Sequence, residues 1–179
     1  EPLIFSFVPV KLLLPLALFS HLCCLAVTGE EKTVNWPQFR GPGASGIAEG
    51  YETATAWDVP ADKNIKWKTA IPGLGHSCPV VWGDRIFLTT AISDKKKDSL
   101  KIGIYHEIAP VENDGVHVWK LLCLDKETGK ILWERVCRKG VPKDKRHTKS
   151  SHANCTPATN GKRVVTFFGS EGLYCHDFD

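Results

Sequence analysis

The sequence predicts an all-β fold assembled from a repeated unit of four short strands. Three observations carry this. Two segments match one another: Pro79-Val80-Val81-Trp82-Gly83-Asp84-Arg85-Ile86-Phe87 resembles Pro157-Ala158-Thr159-Asn160-Gly161-Lys162-Arg163-Val164-Val165. Each reads as strand, tight turn, strand, with Gly83-Asp84 and Asn160-Gly161 as the turn signals. Leu122-Cys123-Leu124-Asp125 likewise matches Tyr174-Cys175-His176-Asp177, and beyond Gly29 no long segment has helical periodicity.

The first stretch stands apart. Lys11 precedes the apolar run Leu12 to Val27, followed by Thr28-Gly29 and the charged Glu30-Glu31-Lys32. A positive residue, an apolar run and small residues near its end predict a secretory signal over residues 1–29, cleaved near Gly29. An uncleaved anchor is the alternative. Pro15 and His21 interrupt the run, which falls short of the ~20 residues a spanning helix needs. A lipid on Cys23 or Cys24 is a minor option, with large Leu22 at a site that usually holds a small residue. Residues 30–64 form a lead-in, opened by Trp36-Pro37-Gln38-Phe39-Arg40-Gly41-Pro42-Gly43, whose prolines and glycines forbid a helix.

The repeats occupy residues 65–179. Strands are expected at Pro79–Trp82, Arg85–Ala91, His117–Asp125 and Lys130–Val136, and again at Cys155–Thr159, Arg163–Phe168 and Leu173–Asp177. Uninterrupted pieces assemble a unit whose length falls within the ~40–45 residues of a four-stranded propeller blade. The first unit carries a long excess around Lys95-Lys96-Lys97 and Pro110 to Gly115, since Gly83 to Leu122 is a far longer span than Gly161 to Tyr174. A shorter excess lies around Lys139 to Lys149. Both are charged and punctuated by Pro or Gly, as loops are. The chain has no Met and stops inside what reads as a repeat, so both ends read as cut and the chain as about two blades of a longer protein.

Asp125-Lys126-Glu127-Thr128-Gly129-Lys130 is a turn cassette: Asp125 accepts from turn amides and Gly129 supplies a positive φ. Trp133 follows in the outgoing strand and is expected to cover a joint between units, at about 3–5 kcal/mol if fully buried. Trp67 is expected to be the same element of a preceding unit.

Five cysteines follow the signal: Cys78, Cys123, Cys137, Cys155 and Cys175. Export permits disulfides, but the odd number leaves at least one outside any pairing within the segment. Cys123 and Cys175 share a repeat position and are expected to be small buried side chains, too far apart for a disulfide. His147, His152 and Cys155, with Cys137 nearby, are the one cluster with metal-ligand chemistry. They lack a CxxC or HxxxH pair, and a loop entering a strand is the plainer reading. His76-Ser77-Cys78-Pro79 recurs at the corresponding place.

Trp36 to Pro42, Pro79 to Phe87, Leu124 to Trp133 and Phe168-Gly169-Ser170-Glu171-Gly172-Leu173-Tyr174-Cys175 together resemble the pyrroloquinoline-quinone-like (PQQ-like) β-propeller repeat proteins. These are exported bacterial proteins of planctomycete type, similar to the outer-membrane protein assembly factor propeller. The resemblance covers about Asn35 to Asp179 and implies a propeller fold, with Cys123 and Cys175 replacing a common Ala. It leaves two function classes. One is an exported, non-catalytic scaffold of the periplasm or cell envelope, binding protein or polymer. The other is a PQQ-dependent dehydrogenase, for which the resemblance implies an acidic base, Ca²⁺ ligands and often a vicinal disulfide. The adjacent cysteines here, Cys23-Cys24, lie in the signal. No catalytic, cofactor or metal residue is therefore assigned, and no cofactor is expected in this segment. A net charge of +3 with no basic stripe of interleaved aromatics excludes a nucleic-acid partner. No membrane span is expected after signal cleavage.

Overall fold

A computed structural model describes residues 35–50, 53–95, 110–112 and 115–179. The expected signal and the larger part of the first excess, residues 96–109, lie outside the described residues. Two antiparallel sheets make up the fold. The first runs β1 (Val80–Trp82), β2 (Arg85–Ser93), β3 (His117–Asp125) and β4 (Ile131–Gly140), in spatial order 1-2-3-4. The second runs β5 (Ala158–Thr159), β6 (Arg163–Phe167) and β7 (Leu173–Asp177), in order 5-6-7. Each strand pairs with its predecessor, so short turns close every connection but β2–β3 and the one between the sheets.

The two sheets share one register. Val80 faces Phe87 and Phe87 faces Cys123, as Ala158 faces Val165 and Val165 faces Cys175. Arg85 faces Asp125 as Arg163 faces Asp177. The hydrogen bonds beyond the ladders repeat too. Lys126 N donates to Asp84 O at 2.8 Å, and Phe178 N donates to Lys162 O at 3.0 Å. The sequence repeat is thus a repeat of backbone pairing.

Strand bounds depart from expectation where pairing decides them. β2 extends to Ser93 because β3 pairs with it along its whole length. β4 runs on to Gly140 opposite His117, with irregularities at Trp119/Lys120 and Cys123/Leu124. β5 shrinks to two residues: Cys78 N is taken by Thr156 Oγ1 at 3.1 Å and Cys155 O accepts from Thr89 Oγ1 at 3.4 Å, so this stretch bonds to the first sheet.

Trp67 corrects another expectation. Ile65-Lys66-Trp67-Lys68 forms no strand, since a strand needs a ladder partner and the described residues before it supply only isolated bridges. The segment instead lies along the Asp125 cassette. Trp67 Nε1 donates to Lys126 O at 2.9 Å and Thr69 Oγ1 to Gly129 O at 2.7 Å. The indole packs on Gly129, where φ is +71° and a Cβ would collide with the ring. Trp82 packs on Gly161 in the same way, at φ +79°. Glycine is required at both turns twice over, by backbone angle and by contact. Asp125 completes its turn by accepting from Thr128 Oγ1 and Thr128 N, both at 2.7 Å. The Thr128 hydroxyl and amide hold its carboxyl below the usual carboxylate range.

The core lies between the sheets. Val80, Phe87, Leu121 and Cys123 of the first sheet bury against Val164 of the second, with Trp133, Cys137 and Phe178 around them. A second cluster joins Ala91 and Trp119 to Ala153 and Phe168. The lead-in ties both sheets: Trp36 exchanges backbone bonds with Val81, and Thr159 N donates to Pro37 O at 2.8 Å.

Candidate functional site

Two places gather polar chemistry: the seam between the sheets, and the loop from Val141 to Pro157 that joins them.

In the seam, Cys137 of β4 meets His176 of β7, Sγ to Nε2 at 3.3 Å, with Thr166 Oγ1 3.9 Å from the sulfur. Burial pushes the Cys137 thiol up, and burial, aided by the Arg135 charge, pushes the His176 imidazole down. Both groups stay neutral near pH 7. The pair is a thiol–imidazole hydrogen bond, not the thiolate–imidazolium pair of a nucleophile. Burial likewise raises the Cys123 thiol to about 11.

The seam also holds a buried charge. Glu171, in the 3₁₀ turn Gly169–Glu171 before β7, pairs with Arg138 of β4, Oε2 to Nε at 2.5 Å. Its other oxygen, Oε1, accepts from Lys143 N at 2.7 Å. One carboxylate thus binds the second sheet to both the first sheet and the joining loop. The Arg138 guanidinium also lies 5.9 Å from the Trp119 ring.

The loop is folded rather than extended. Arg146, Thr148, Ser151 and Ala153 are buried. Asn154 Oδ1 accepts from Ser151 N at 3.0 Å and Ser151 Oγ at 2.8 Å. Arg146 Nη1 donates to Ser150 O at 3.1 Å, and Trp119 Nε1 donates to His152 O at 3.1 Å. Between this loop and the Phe167–Ser170 turn lies a cleft of about 270 Å³.

The sequence-predicted candidates divide here. His147, His152 and Cys155 line this cleft, whereas Cys137 is in the seam with His176. Within the cleft they do not converge. His147 Nδ1 accepts from Lys149 N at 3.1 Å, and the His152 ring sits edge-on to His117, centroids 4.8 Å apart. Lys145 and Arg146 line the same cleft. Among the described residues no three His, Cys, Asp or Glu side chains are grouped to hold a metal ion. His76 and Cys78 lie beside the loop, with His76 N on Ala153 O at 2.9 Å. The five described cysteines are all free thiols.

Glu171 and His176 escape sequence reasoning. Glu171 sits in a short turn between two glycines, and its partner Arg138 lies far earlier in the chain, beyond the whole of β5 and β6. Arg138 lies just before the charged excess of Lys139 to Lys149, but no local pattern links the two.

Among the described residues no helix is long and apolar enough to cross a membrane. No family model matches the chain, and no curated protein or solved structure matches it.

Proposed function

We propose that the chain is part of an exported β-propeller of PQQ-like repeats that acts as a non-catalytic scaffold, binding protein or polymer at the cell envelope. One observation carries the reading. Among the described residues, nothing covers the face of the second sheet that corresponds to the buried face of the first. Ala158, Val165 and Cys175 are equivalent to Val80, Phe87 and Cys123. The first set is covered by the second sheet, while the second set lines a shallow cavity of about 320 Å³. Units that bury their faces only against the next unit are the mark of ring or solenoid repeats. The Cys137–His176 pair supports the non-catalytic half of the reading: it is half-buried, and burial pushes the thiol up and the imidazole down, toward their neutral forms.

Isothermal titration with PQQ, Ca²⁺ and Zn²⁺ tests this against the quinone-dehydrogenase alternative. The scaffold reading expects no stoichiometric binding tighter than about 1 μM. Tighter binding of PQQ with Ca²⁺ overturns it. Export is tested by sequencing the mature N-terminus. A start at about Glu30 supports it, and a mature chain beginning before Leu25 refutes it.

A further inference from the structure

Arg85 and Arg163 hold the same place in the two sheets, opposite Asp125 and Asp177. Their guanidinium groups differ. Arg85 is seated on the chain that leaves the second sheet. Its Nη1 donates to Phe178 O at 3.1 Å, its Nη2 lies 3.1 Å from Asp179 Oδ1, and its guanidinium carbon lies 5.2 Å from the centre of the Phe178 ring. That ring sits edge-on to Phe87, centroids 5.1 Å apart, against the cluster of Val80, Leu121 and Cys123. One arginine of the first sheet thus grips an aromatic ring, its carbonyl and the next carboxylate.

Arg163 carries the same grip unfilled. Each Nε sits near a carboxylate of its own unit, Asp84 at 3.9 Å for Arg85 and Asp177 at 3.6 Å for Arg163. Both distances exceed a hydrogen bond. The Arg163 Nη groups have no hydrogen bond among the described residues, and its side chain is 68% exposed against 24% for Arg85. Arg163 lines the shallow cavity with Ala158, Val165 and Cys175. Ala158 and Val165 are smaller than their counterparts Val80 and Phe87, which leaves room for a ring. By register Phe167 and Leu173, 47% and 65% exposed, share this face.

We propose that this face is the docking site for a further unit of the same repeat, and that Arg163 selects the unit by an aromatic residue followed by an acidic one at the positions of Phe178 and Asp179. The proposal rests on the scaffold reading and names the partner of its open face. The seat that Phe178-Asp179 fills on the first sheet is present on the second, in register and in charge. Arg163 stacks on the incoming ring and donates through Nη1 and Nη2 to its carbonyl and to the carboxylate. Apolar cover alone offers no choice of partner. A guanidinium shielded from water without an acceptor opposes any unit that lacks the acidic residue. A second copy of the chain is a poor occupant, because its Phe178-Asp179 pair is already held by its own Arg85.

The repeat register supplies the test. Asp179 corresponds to Glu127, so a copy of residues 128–179 joined after Asp179 continues the chain by one unit, with alanine for each cysteine of the added copy. Iodoacetamide labelling of Cys175 is the readout. In the extended chain Cys175 should label about 10-fold or more slowly than in the chain as it stands. Arg163→Ala, or alanine at both added positions equivalent to Phe178 and Asp179, should restore fast labelling with an unchanged circular dichroism spectrum. Equal reactivity of Cys175 in a folded extended chain overturns the proposal, as does protection that survives either alanine change. If the extended chain does not fold, a peptide of residues 173–179 with Cys175→Ser, titrated into the chain, decides. Binding with a Kd below about 1 mM that weakens about 10-fold or more in Arg163→Ala supports the proposal. Absent binding, or binding that Arg163→Ala leaves unchanged, overturns it. Self-association of the unextended chain that Arg163→Ala abolishes makes a second copy the occupant and overturns it too. Failure in these arms leaves the scaffold reading standing, whereas PQQ binding with Ca²⁺ removes that reading itself.

Discussion

Cys123 and Cys175 occupy the same register position in two sheets of the same pairing, yet one is sealed and the other is exposed. Their neighbours follow suit. Val80 and Phe87 have no accessible surface, whereas Ala158 is exposed and Val165 half-buried. The strands do not differ in type and pair in the same register, although a long excursion joins β2 to β3 and the short Gly169–Glu171 turn joins β6 to β7. The difference is the neighbour: the first sheet has the second across it, with Val164 and Phe178 inserted, and the second sheet has nothing described on its corresponding face. Burial in this molecule is a property of the joint between units, not of a unit.

The sharpest way to break this comparison is to truncate equivalent residues. Phe87→Ala should lower stability by about 3–5 kcal/mol, since a fully buried aromatic leaves a cavity. Val165→Ala should cost about 1 kcal/mol or less, because its site is already half open. Urea denaturation of both variants measures the pair. Similar losses would mean that the two faces are equally covered.

The joint itself comes next. Glu171→Ala should cost about 2–4 kcal/mol, for it strands Arg138 and frees Lys143 N. Arg138 keeps partial contact with water, which holds the loss below that of a fully buried pair. Glu171→Gln should recover part of it by keeping a hydrogen-bond acceptor. Thermal unfolding of both variants provides the check.

A smaller effect separates the cysteines. Cys123→Ser should cost about 1–3 kcal/mol by burying a hydroxyl among apolar side chains, and Cys175→Ser should stay within about 0.5 kcal/mol. The thiols also predict a pH effect. The folded Cys123 thiol keeps its proton up to about 11, whereas the unfolded thiol releases it near 9.0. Its contribution is therefore complete below about pH 9 and is lost as pH rises from there through about 11, by up to about 3 kcal/mol. Cys123→Ala should flatten this alkaline fall, and Cys175→Ala should not.

What the sequence disclosed follows the same line. The strand–turn–strand pairs were legible because side chains alternate with period two and the Asn160-Gly161 and Thr128-Gly129 turns are local signals. The positions of Trp67 and Cys175 were not. Trp67 reads as an outgoing strand, yet a strand is defined by a partner that this stretch lacks. Cys175 reads as buried by analogy with Cys123, but a face is buried only when something is set against it. Trp133 was expected as a joint cover and is half-buried, its Nε1 without a partner among the described residues. At the candidate site, His147, His152 and Cys155 were marked as a group, and they do line one cleft. Its fastening by Glu171 was invisible, because a contact between segments so distant in the chain leaves no trace in a local pattern.

The direct measurement is thiol labelling of the native chain by iodoacetamide, resolved by peptide mass spectrometry. Cys123 and Cys175 are the same residue type in the same register, so the difference in their rates reports burial, which both shields the Cys123 thiol and keeps it protonated. The account predicts that Cys175 reacts at nearly the rate of the urea-unfolded chain. Cys123 should react only as fast as the chain opens, about 100-fold or more slower if the joint contributes about 3 kcal/mol. Equal protection of the two thiols, or faster labelling of Cys123, would contradict it.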